Sequence, residues 1–203
     1  MKTSFKFPVL VLSAALLFGA QAQAATIVDT GTPPAGDAFA LALDSTSWLA
    51  GQINIIAATN IHSIQAYVND LGTGGGFTIA LYGDSASHLP GSLLGSWAAT
   101  FAAAPGGDGW NGVSGLNVAV AAGKYWVALE VQGADSFSGV APVSPPSPLA
   151  KYTFNDGGIG GYQAMTQTFG VQVTAVPEPE SFAMLLAGLA VLGAAAGRRA
   201  RLA

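Results

Sequence analysis

The sequence lacks cysteine, is poor in charged residues and contains only two histidines. Without cysteine, a disulfide framework, a thiolate metal site and a cysteine nucleophile are all excluded. Cations are scarcest between Ala25 and Val176, where Lys124 and Lys151 stand against nine carboxylates and give a formal net charge of −7. Binding of nucleic acids and other polyanions relies on Lys and Arg that displace counterions, so we expect no nucleic-acid or polyanion partner.

Long apolar runs occur only near the two ends of the chain. Residues 1–24 combine a basic start, an apolar stretch and small residues before a cleavage point: Lys2 with Lys6, Phe7 to Ala20, and Ala22 with Ala24. This order predicts a signal peptide that signal peptidase removes after Ala24, with a cut after Ala22 as the alternative. A permanent membrane helix would need about 20 apolar residues, and this run is shorter.

The C-terminal segment, 176–203, also has three successive zones. Val176, Pro177, Glu178, Pro179, Glu180 and Ser181 come first, an apolar stretch from Phe182 to Gly197 follows, and Arg198, Arg199 and Arg201 flank its far side. The 16 apolar or glycine residues predict a hydrophobic helix of about 24 Å, which a slightly thinned membrane can hold. Flanking arginines stay on the cytoplasmic side, so we expect the preceding domain to lie outside the cytoplasm.

This tail resembles the PEP-CTERM sorting signal of Gram-negative bacteria. The Pro177-Glu178-Pro179 triplet, the Leu185 to Leu189 run and the terminal arginines carry the resemblance. In that family the tail is a transient inner-membrane anchor that an exosortase recognises and removes, after which the protein reaches the cell surface or an extracellular matrix. The resemblance implies the same route here, with signal peptidase and an exosortase as partners. A plain single-pass tail anchor behind a proline-rich linker is the alternative.

Between these segments, residues 25–175 alternate apolar and polar side chains, which is typical of half-buried antiparallel strands. Predicted strands include Trp48 to Ala57, Ser63 to Val68, Phe77 to Tyr82, Leu93 to Phe101, Leu116 to Val120, Lys124 to Val131 and Phe169 to Thr174. With glycine- and proline-rich loops predicted at 71–76, 105–112 and 143–148, the pattern indicates an all-β domain without helices. We predict a two-layer antiparallel jelly-roll-like β-sandwich of about eight to ten strands.

Three clusters within this domain resemble the β-sandwich shared by many PEP-CTERM and other surface-anchored bacterial proteins. They are Trp48 to Gln52, Leu81 and Tyr82 with Pro90 to Leu94, and Gly123 to Val127. The resemblance spans roughly Ala38 to Val173 and implies the fold more than a function, because members generally have no assigned activity.

Groups suited to catalysis are few. His62 and His88 are the only histidines, and neither belongs to a recognised constellation of nucleophile, base and orienting carboxylate. Glu130 lies on the strand face shared with Lys124 and Trp126, where we expect it to point to solvent. We therefore predict no catalytic residues and a non-enzymatic protein, with a secreted hydrolase as the weaker alternative.

Two kinds of ligand site remain open. Asp108 with Asn111, and Asn155 with Asp156, supply the oxygen ligands that a structural calcium ion prefers, although turn formation explains these residues equally well; no other cofactor is expected.

Carbohydrate is the other candidate, because the flat rings of Trp110 and Trp126 suit contact with a sugar. The leading hypothesis is thus an exported surface or matrix protein. The alternative is a carbohydrate-binding module that contacts an exopolysaccharide.

Overall fold

Thirteen strands make up the described part of the chain between Ala24 and Val176. The computed structural model describes residues 24–34, 40–72, 74–101 and 107–176, together with Gly188. The strands are β1 (Ala25–Asp29), β2 (Ala40–Leu43), β3 (Trp48–Ile55), β4 (Thr59–Asn69), β5 (Gly76–Asp84), β6 (Pro90–Thr100), β7 (Asp108–Val113), β8 (Val118–Val120), β9 (Gly123–Glu130), β10 (Gly139–Pro142), β11 (Tyr152–Asp156), β12 (Ile159–Met165) and β13 (Val171–Val176). The prediction of an all-β domain is confirmed.

The strands form two antiparallel sheets. The seven-stranded sheet has the order β1-β13-β4-β10-β2, with β7 and β8 also paired to β4. The six-stranded sheet has the order β12-β11-β3-β9-β5-β6. Two antiparallel layers are therefore confirmed, whereas the jelly-roll topology stays a prediction.

The core lies between the sheets and comes from alternate residues of their strands. From β4 and β13 it takes Ile64, Ala66, Val68, Val171 and Val173, and from β3, β5 and β9 it takes Leu49, Ile53, Ile79, Leu81, Val127 and Leu129. All of these are almost fully buried. Burial at roughly 25 cal/mol per Å² of apolar surface makes this alternation the main source of stability.

Both ends of the sandwich lie side by side in the seven-stranded sheet. Ala25, at the start of β1, pairs with Ala175 near the end of β13. The strand β13 is itself held on its other edge by β4, down to the pair between Val176 and Asn60. Residues 24–176 form one compact unit, which thus begins and ends with paired strands.

The predicted loop at 105–112 is wrong over its second half, because residues 108–113 form strand β7. The glycines there serve strand pairing: a Cβ atom on Gly112 would overlap the carbonyl oxygen of Ile64 in β4. Glycine in a strand interior often marks such a close approach of two backbones. A glycine-rich composition is compatible with a loop and also with a strand that pairs closely with its neighbour, so composition alone could not distinguish the two.

The six-stranded sheet bends strongly, so that its edge hairpin β11–β12 folds over its outer face. Tyr162 on β12 and Tyr82 on β5 stand four strands apart in the sheet order, yet their ring centroids are only 6.0 Å apart. In a flat sheet this separation would be about 19 Å, at ~4.8 Å per strand. Because of this bend, the hairpin β11–β12 covers part of the outer face of the sheet.

The remaining predicted segments lie outside the described residues. They are residues 1–23 of the predicted signal peptide, the Pro177-Glu178-Pro179 triplet with the Glu180 and Ser181 that follow it, and the C-terminal hydrophobic helix with its arginines, of which only Gly188 is described, in helical conformation. Among the residues that the structure describes, no helix has the length and apolar character needed to cross a membrane.

Candidate functional site

The outer face of the six-stranded sheet carries a row of small side chains at its centre. Thr153 on β11, Ala50 on β3, Ala128 on β9 and Ala80 on β5 are neighbours in register across four strands. Their small size leaves room above the sheet for Trp126, which packs with the three alanines and is fully buried. This face therefore has its own apolar cluster, separate from the core between the sheets.

Asp84, near the end of β5, connects the polar groups around this cluster. Its Oδ1 accepts hydrogen bonds from Trp126 Nε1 and Gln52 Nε2, each at 2.8 Å. Its Oδ2 contacts His88 Nδ1 at 2.8 Å. Burial opposes ionisation, but the donors from His88, Trp126 and Gln52 outweigh it and hold the pKa of Asp84 below its ordinary value.

His88 sits in the tight turn between β5 and β6. The amide of His88 donates to the carbonyl of Ser85, and the turn closes with a bond from Ser85 N to Leu89 O. His88 has a positive φ of 56°, a conformation that costs energy for a residue with a side chain. The turn and Asp84 together fix the position of the imidazole ring, which remains exposed.

A second polar cluster surrounds Glu130 at the end of β9. Tyr82 Oη and Tyr162 Oη donate to Glu130 Oε1 at 2.8 and 2.5 Å, and Gln132 Nε2 donates to Oε2 at 2.9 Å. The expectation that Glu130 points to solvent is wrong, since only 1% of it is exposed. The strand face was assigned correctly, but β12 folds over that face and brings Tyr162 to the carboxylate.

This cluster lies within a weakly hydrated environment. Burial, followed by the electrostatic and hydrogen-bond effects of Glu130, raises the pKa of Tyr162 far above its ordinary value. Burial and the same carboxylate also raise the pKa of Tyr82. Both tyrosines are therefore neutral donors over the whole physiological pH range, and they satisfy a carboxylate that has no cation beside it among the described residues.

A pocket of about 250 Å³ opens beside Trp126, between the β5–β6 turn and the hairpin β11–β12. Its lining includes His88 from the turn, Lys151 and Thr153, and Ala164 and Met165 of β12. Thr153 is itself buried, and its Oγ1 has no hydrogen-bond partner among the described residues. None of the described groups of His, Asp and Glu has three members placed to hold a metal ion.

The two tryptophans predicted to contact carbohydrate are not brought together. Trp110 lies on β7 in the seven-stranded sheet, where its ring meets Tyr67 edge-on at 5.4 Å and its Nε1 donates to Thr32 Oγ1 at 3.3 Å. Trp126 lies on the other sheet and is fully buried, so its ring has no open face for stacking on a sugar. Only Trp126 borders the pocket.

The oxygen-rich pairs proposed for calcium also do not converge. Asp108 is exposed and Asn111 is 2% exposed, because residues three apart in strand β7 point to opposite faces. Asn155 Oδ1 accepts from Gly158 N at 2.7 Å and stabilises the β11–β12 turn, while its neighbour Asp156 is exposed. Calcium binding stays a prediction with no assembled set of ligands behind it.

The sequence analysis did not single out Asp84, Thr153, Lys151 or Tyr162 as site residues. A signal existed for one of them, since Asp84 and His88 stand four residues apart around a turn. Thr153 and Tyr162 come from β11 and β12, which lacked clear alternation, and Lys151 directly precedes β11. His62 lies apart, on β4 of the other sheet. Among the described residues, no serine side chain is hydrogen-bonded to the ring of either histidine.

Comparison with known families identifies the C-terminal segment. The model of the PEP-CTERM protein-sorting motif matches residues 175–201. The match begins at Ala175, the second-last residue of β13, and includes the Pro-Glu-Pro triplet and Arg201. A search of curated proteins returns no match. The chain therefore carries a PEP-CTERM protein-sorting motif, the signal of an exported protein that is sorted by an exosortase, a membrane enzyme.

Proposed function

We propose that this chain is a non-enzymatic cell-surface or extracellular-matrix protein of a Gram-negative bacterium. A signal peptide directs its export, the C-terminal helix anchors it briefly in the inner membrane, and the exosortase then removes the tail. The observation that carries the proposal is the sorting motif matched at residues 175–201. The β-sandwich is the part that is delivered.

The position of the motif relative to the sandwich supports this route. The last strand, β13, ends at Val176, and Pro177 follows directly. The first strand begins at Ala25, the residue after the predicted signal-peptidase site. Cleavage after Ala24 and at or beyond Pro177 would leave every strand of the sandwich intact.

A variant with Pro177, Glu178 and Pro179 all changed to Ala tests the route in the natural host. We expect the variant to accumulate in membranes at full tail length, while the wild-type protein is released without its tail. Lys124→Ala, an exposed change within the sandwich, is the matched control and should be released like the wild type. Release of the triple variant in trimmed form would contradict processing at this motif.

Carbohydrate binding is the second candidate function. It is supported by the pocket beside Trp126, whose lining includes the exposed side chains of Lys151 and His88. Sites that orient small ligands typically combine a concave surface with a few placed polar groups. The expected partner is an exopolysaccharide of the matrix into which the protein is delivered.

Tryptophan fluorescence distinguishes the two sites predicted from the sequence. If the pocket binds the polysaccharide, adding it should change the emission of the wild type and of Trp110→Phe, but much less that of Trp126→Phe. A change that survives in Trp126→Phe and disappears in Trp110→Phe would move the contact to the seven-stranded sheet.

One feature supports the alternative of a secreted hydrolase: the hydrogen bond between Asp84 Oδ2 and His88 Nδ1. Such a pair orients a catalytic imidazole in hydrolases, but a nucleophile at the other ring nitrogen is needed as well. A hydrolase screen of the wild type and of His88→Ala would decide this point. Turnover that disappears with His88→Ala would overturn the non-enzymatic proposal.

A further inference from the structure

One end of the sandwich contains both the start and the finish of the folded chain. Strand β1 begins there and β13 ends there, next to each other and close to the start of β4. The turns β3–β4 and β8–β9 connect the two sheets at the same end, and β5 also ends there before it turns into β6. We call this the exit end; it comprises Ala25, Val176 and the turns at 56–58, 85–89 and 121–122.

Two turns of the exit end expose apolar side chains. Ile56 in the β3–β4 turn is 89% exposed and belongs to neither of the hydrophobic clusters of the sandwich. Ala57 and Ala58 beside it are exposed, as are Ala121 and Ala122 in the β8–β9 turn. An isoleucine in this position contributes nothing to the core, and its apolar surface would gain free energy by leaving water for an apolar environment outside the protein.

Both lysines of the sandwich lie in the half of the six-stranded sheet that is nearer the exit end. Lys124 pairs with Asn54, next to the last residue of β3. The carbonyl of Lys151 accepts from Gln52 N, which places Lys151 beside the same half of β3. Both lysine side chains are exposed. The positive charge of the sandwich is therefore located near the point where the chain leaves it.

The carboxylates are concentrated at the opposite end, which we call the acidic end. Six of the eight carboxylates that the structure describes between Ala25 and Val176 lie there: Asp44, Asp70, Asp108, Glu130, Asp135 and Asp156. Asp29 lies near the middle of its sheet. Only Asp84 belongs to the exit end, where its side chain is 14% exposed and holds three hydrogen bonds. The net negative charge of the domain is thus directed away from the exit end.

The length of chain that follows β13 restricts the exit end to the neighbourhood of a membrane. Five residues, 177–181, separate Val176 from the apolar stretch that begins at Phe182. Fully extended, this connection reaches about 20 Å. With the tail inserted, the exit end therefore cannot move far from the bilayer surface. A tether of this kind gives a high effective concentration, so that even weak contacts with lipid are populated.

We propose that the exit end docks on the surface of an anionic lipid bilayer while the tail is attached. Ile56 enters the boundary between headgroups and acyl chains, Lys124 and Lys151 attract the lipid phosphates, and the acidic end points away from the membrane. The inference rests on the tail anchor of the proposed function and adds an orientation of the domain. The docked sandwich leaves the bilayer once the tail is cut, because so small a contact does not persist without the tether.

Fluorescence of the full-length protein reconstituted in vesicles tests the contact. The chain has no cysteine, so Ile56→Cys carries one environment-sensitive label, and Asp156→Cys, an exposed position at the acidic end, is the matched control. The vesicles contain phosphatidylethanolamine and phosphatidylglycerol. We expect the emission of the label at 56 to shift to shorter wavelength and to be quenched by lipids with a nitroxide high on the acyl chain. The label at 156 should show neither effect.

Charge variants distinguish docking from proximity, because a tether alone keeps the exit end near any bilayer whereas docking depends on the two lysines. With the label at 56, Lys124→Ala and Lys151→Ala should each lower the ratio of docked to undocked protein about fivefold. Asp108→Asn at the acidic end should leave this ratio unchanged, since it lies about 30 Å away along β4, beyond the Debye length of ~10 Å at 0.1 M salt. Docking takes no part in the cut itself, so the Lys124→Ala control for release keeps its expected result.

Failure of the docking can be told apart from failure of the proposed route. Protein that does not float with the vesicles would contradict the tail anchor and the docking together. Protein that floats while its label at 56 stays in water, or responds no more than the label at 156, would overturn the docking and leave the anchor standing. A label at 56 that enters the bilayer equally well in the wild type and in both lysine variants would show insertion by the dye itself, and would also overturn the docking.

Discussion

Polar side chains are more exposed on the outer face of the seven-stranded sheet than on the outer face of the six-stranded sheet. On the seven-stranded sheet, residues such as Gln65 and Tyr67 of β4 and Gln172 of β13 lie half-buried at the surface. On the six-stranded sheet, Glu130 and Thr153 are each 1% exposed. The strands of both sheets alternate in the same way, so the difference comes from the hairpin β11–β12 that folds over only one of them.

Burying polar side chains costs more free energy on the outer face of the six-stranded sheet, which the hairpin β11–β12 covers, than on the uncovered outer face of the other sheet. A buried carboxylate without a cation needs several donors to compensate for lost hydration, and Glu130 has three. The uncovered face keeps its polar groups in contact with water and needs no such network. We therefore expect equivalent substitutions to have large effects on the six-stranded sheet and small ones on the other.

The largest effect is expected from Glu130→Ala. It removes the acceptor of two tyrosine hydroxyls and should lower the free energy of unfolding by about 3 kcal/mol. Gln65→Ala, the matched change at mid-strand on the other outer face, should cost less than about 0.5 kcal/mol. Urea denaturation of both variants measures the difference, and equal midpoints would remove the contrast between the faces. Glu130→Gln, which keeps an acceptor oxygen, should fall between them.

Tyr162→Phe should have the next largest effect. It removes one hydrogen bond to a charged acceptor, and we expect a loss of about 2 kcal/mol in the free energy of unfolding. Tyr67→Phe on the seven-stranded sheet is the control, because the described residues give the Tyr67 hydroxyl no partner; its cost should be near zero. If both variants unfold at the same urea concentration, the hairpin is not held by the Glu130 cluster.

Thr153→Val should act in the opposite direction. Removing the unpartnered hydroxyl is expected to stabilise the protein by about 1 kcal/mol and raise the melting temperature by about 2–4 °C. Thr174→Val on the other sheet loses a bond of 2.6 Å to Ser63 Oγ and should lower the melting temperature. Calorimetry distinguishes these signs, and a destabilised Thr153→Val would mean that the hydroxyl has a partner in solution.

The smallest effect concerns acid stability. The pKa of Asp84 in the folded state is below its ordinary value of 3.8, so its contribution to stability is present above that pH and is lost as the pH falls through the lower, folded value. Asp84→Asn should therefore be less stable than the wild type near pH 6, and the gap should narrow below about pH 4. A gap that stays constant from pH 6 to pH 3 would contradict an ionised Asp84 in this network.

Much of the fold could be predicted from the alternation of apolar and polar side chains, because this alternation directly indicates strands of a sheet with one buried face. Strand β9 was predicted at Lys124 to Val131 and is observed at Gly123–Glu130. Glycine-rich strands such as β7 and β12 could not be found this way, since Gly112 and Gly161 contribute no side chain to the pattern. The sorting motif was predictable because its signal is local in sequence.

The candidate pocket was not predictable, because it depends on contacts between distant segments. The bend that brings Tyr162 to Tyr82 follows from the curvature of a whole sheet and leaves no local mark. Asp84 and Trp126 are 42 residues apart, and their hydrogen bond follows from the register of β5 with β9. Trp110 falls in the predicted loop at 105–112, but it packs on Tyr67 because strand β7 pairs with β4.

Intact mass spectrometry of the protein from the membrane and extracellular fractions of its own host tests the central claim most directly, because it reads both termini at once. We predict an extracellular species that begins at Ala25 and ends between Pro177 and Ser181, with the whole sandwich retained. A species found only in membranes, beginning at Ala25 and ending at Ala203, would show a permanent anchor and contradict sorting and release.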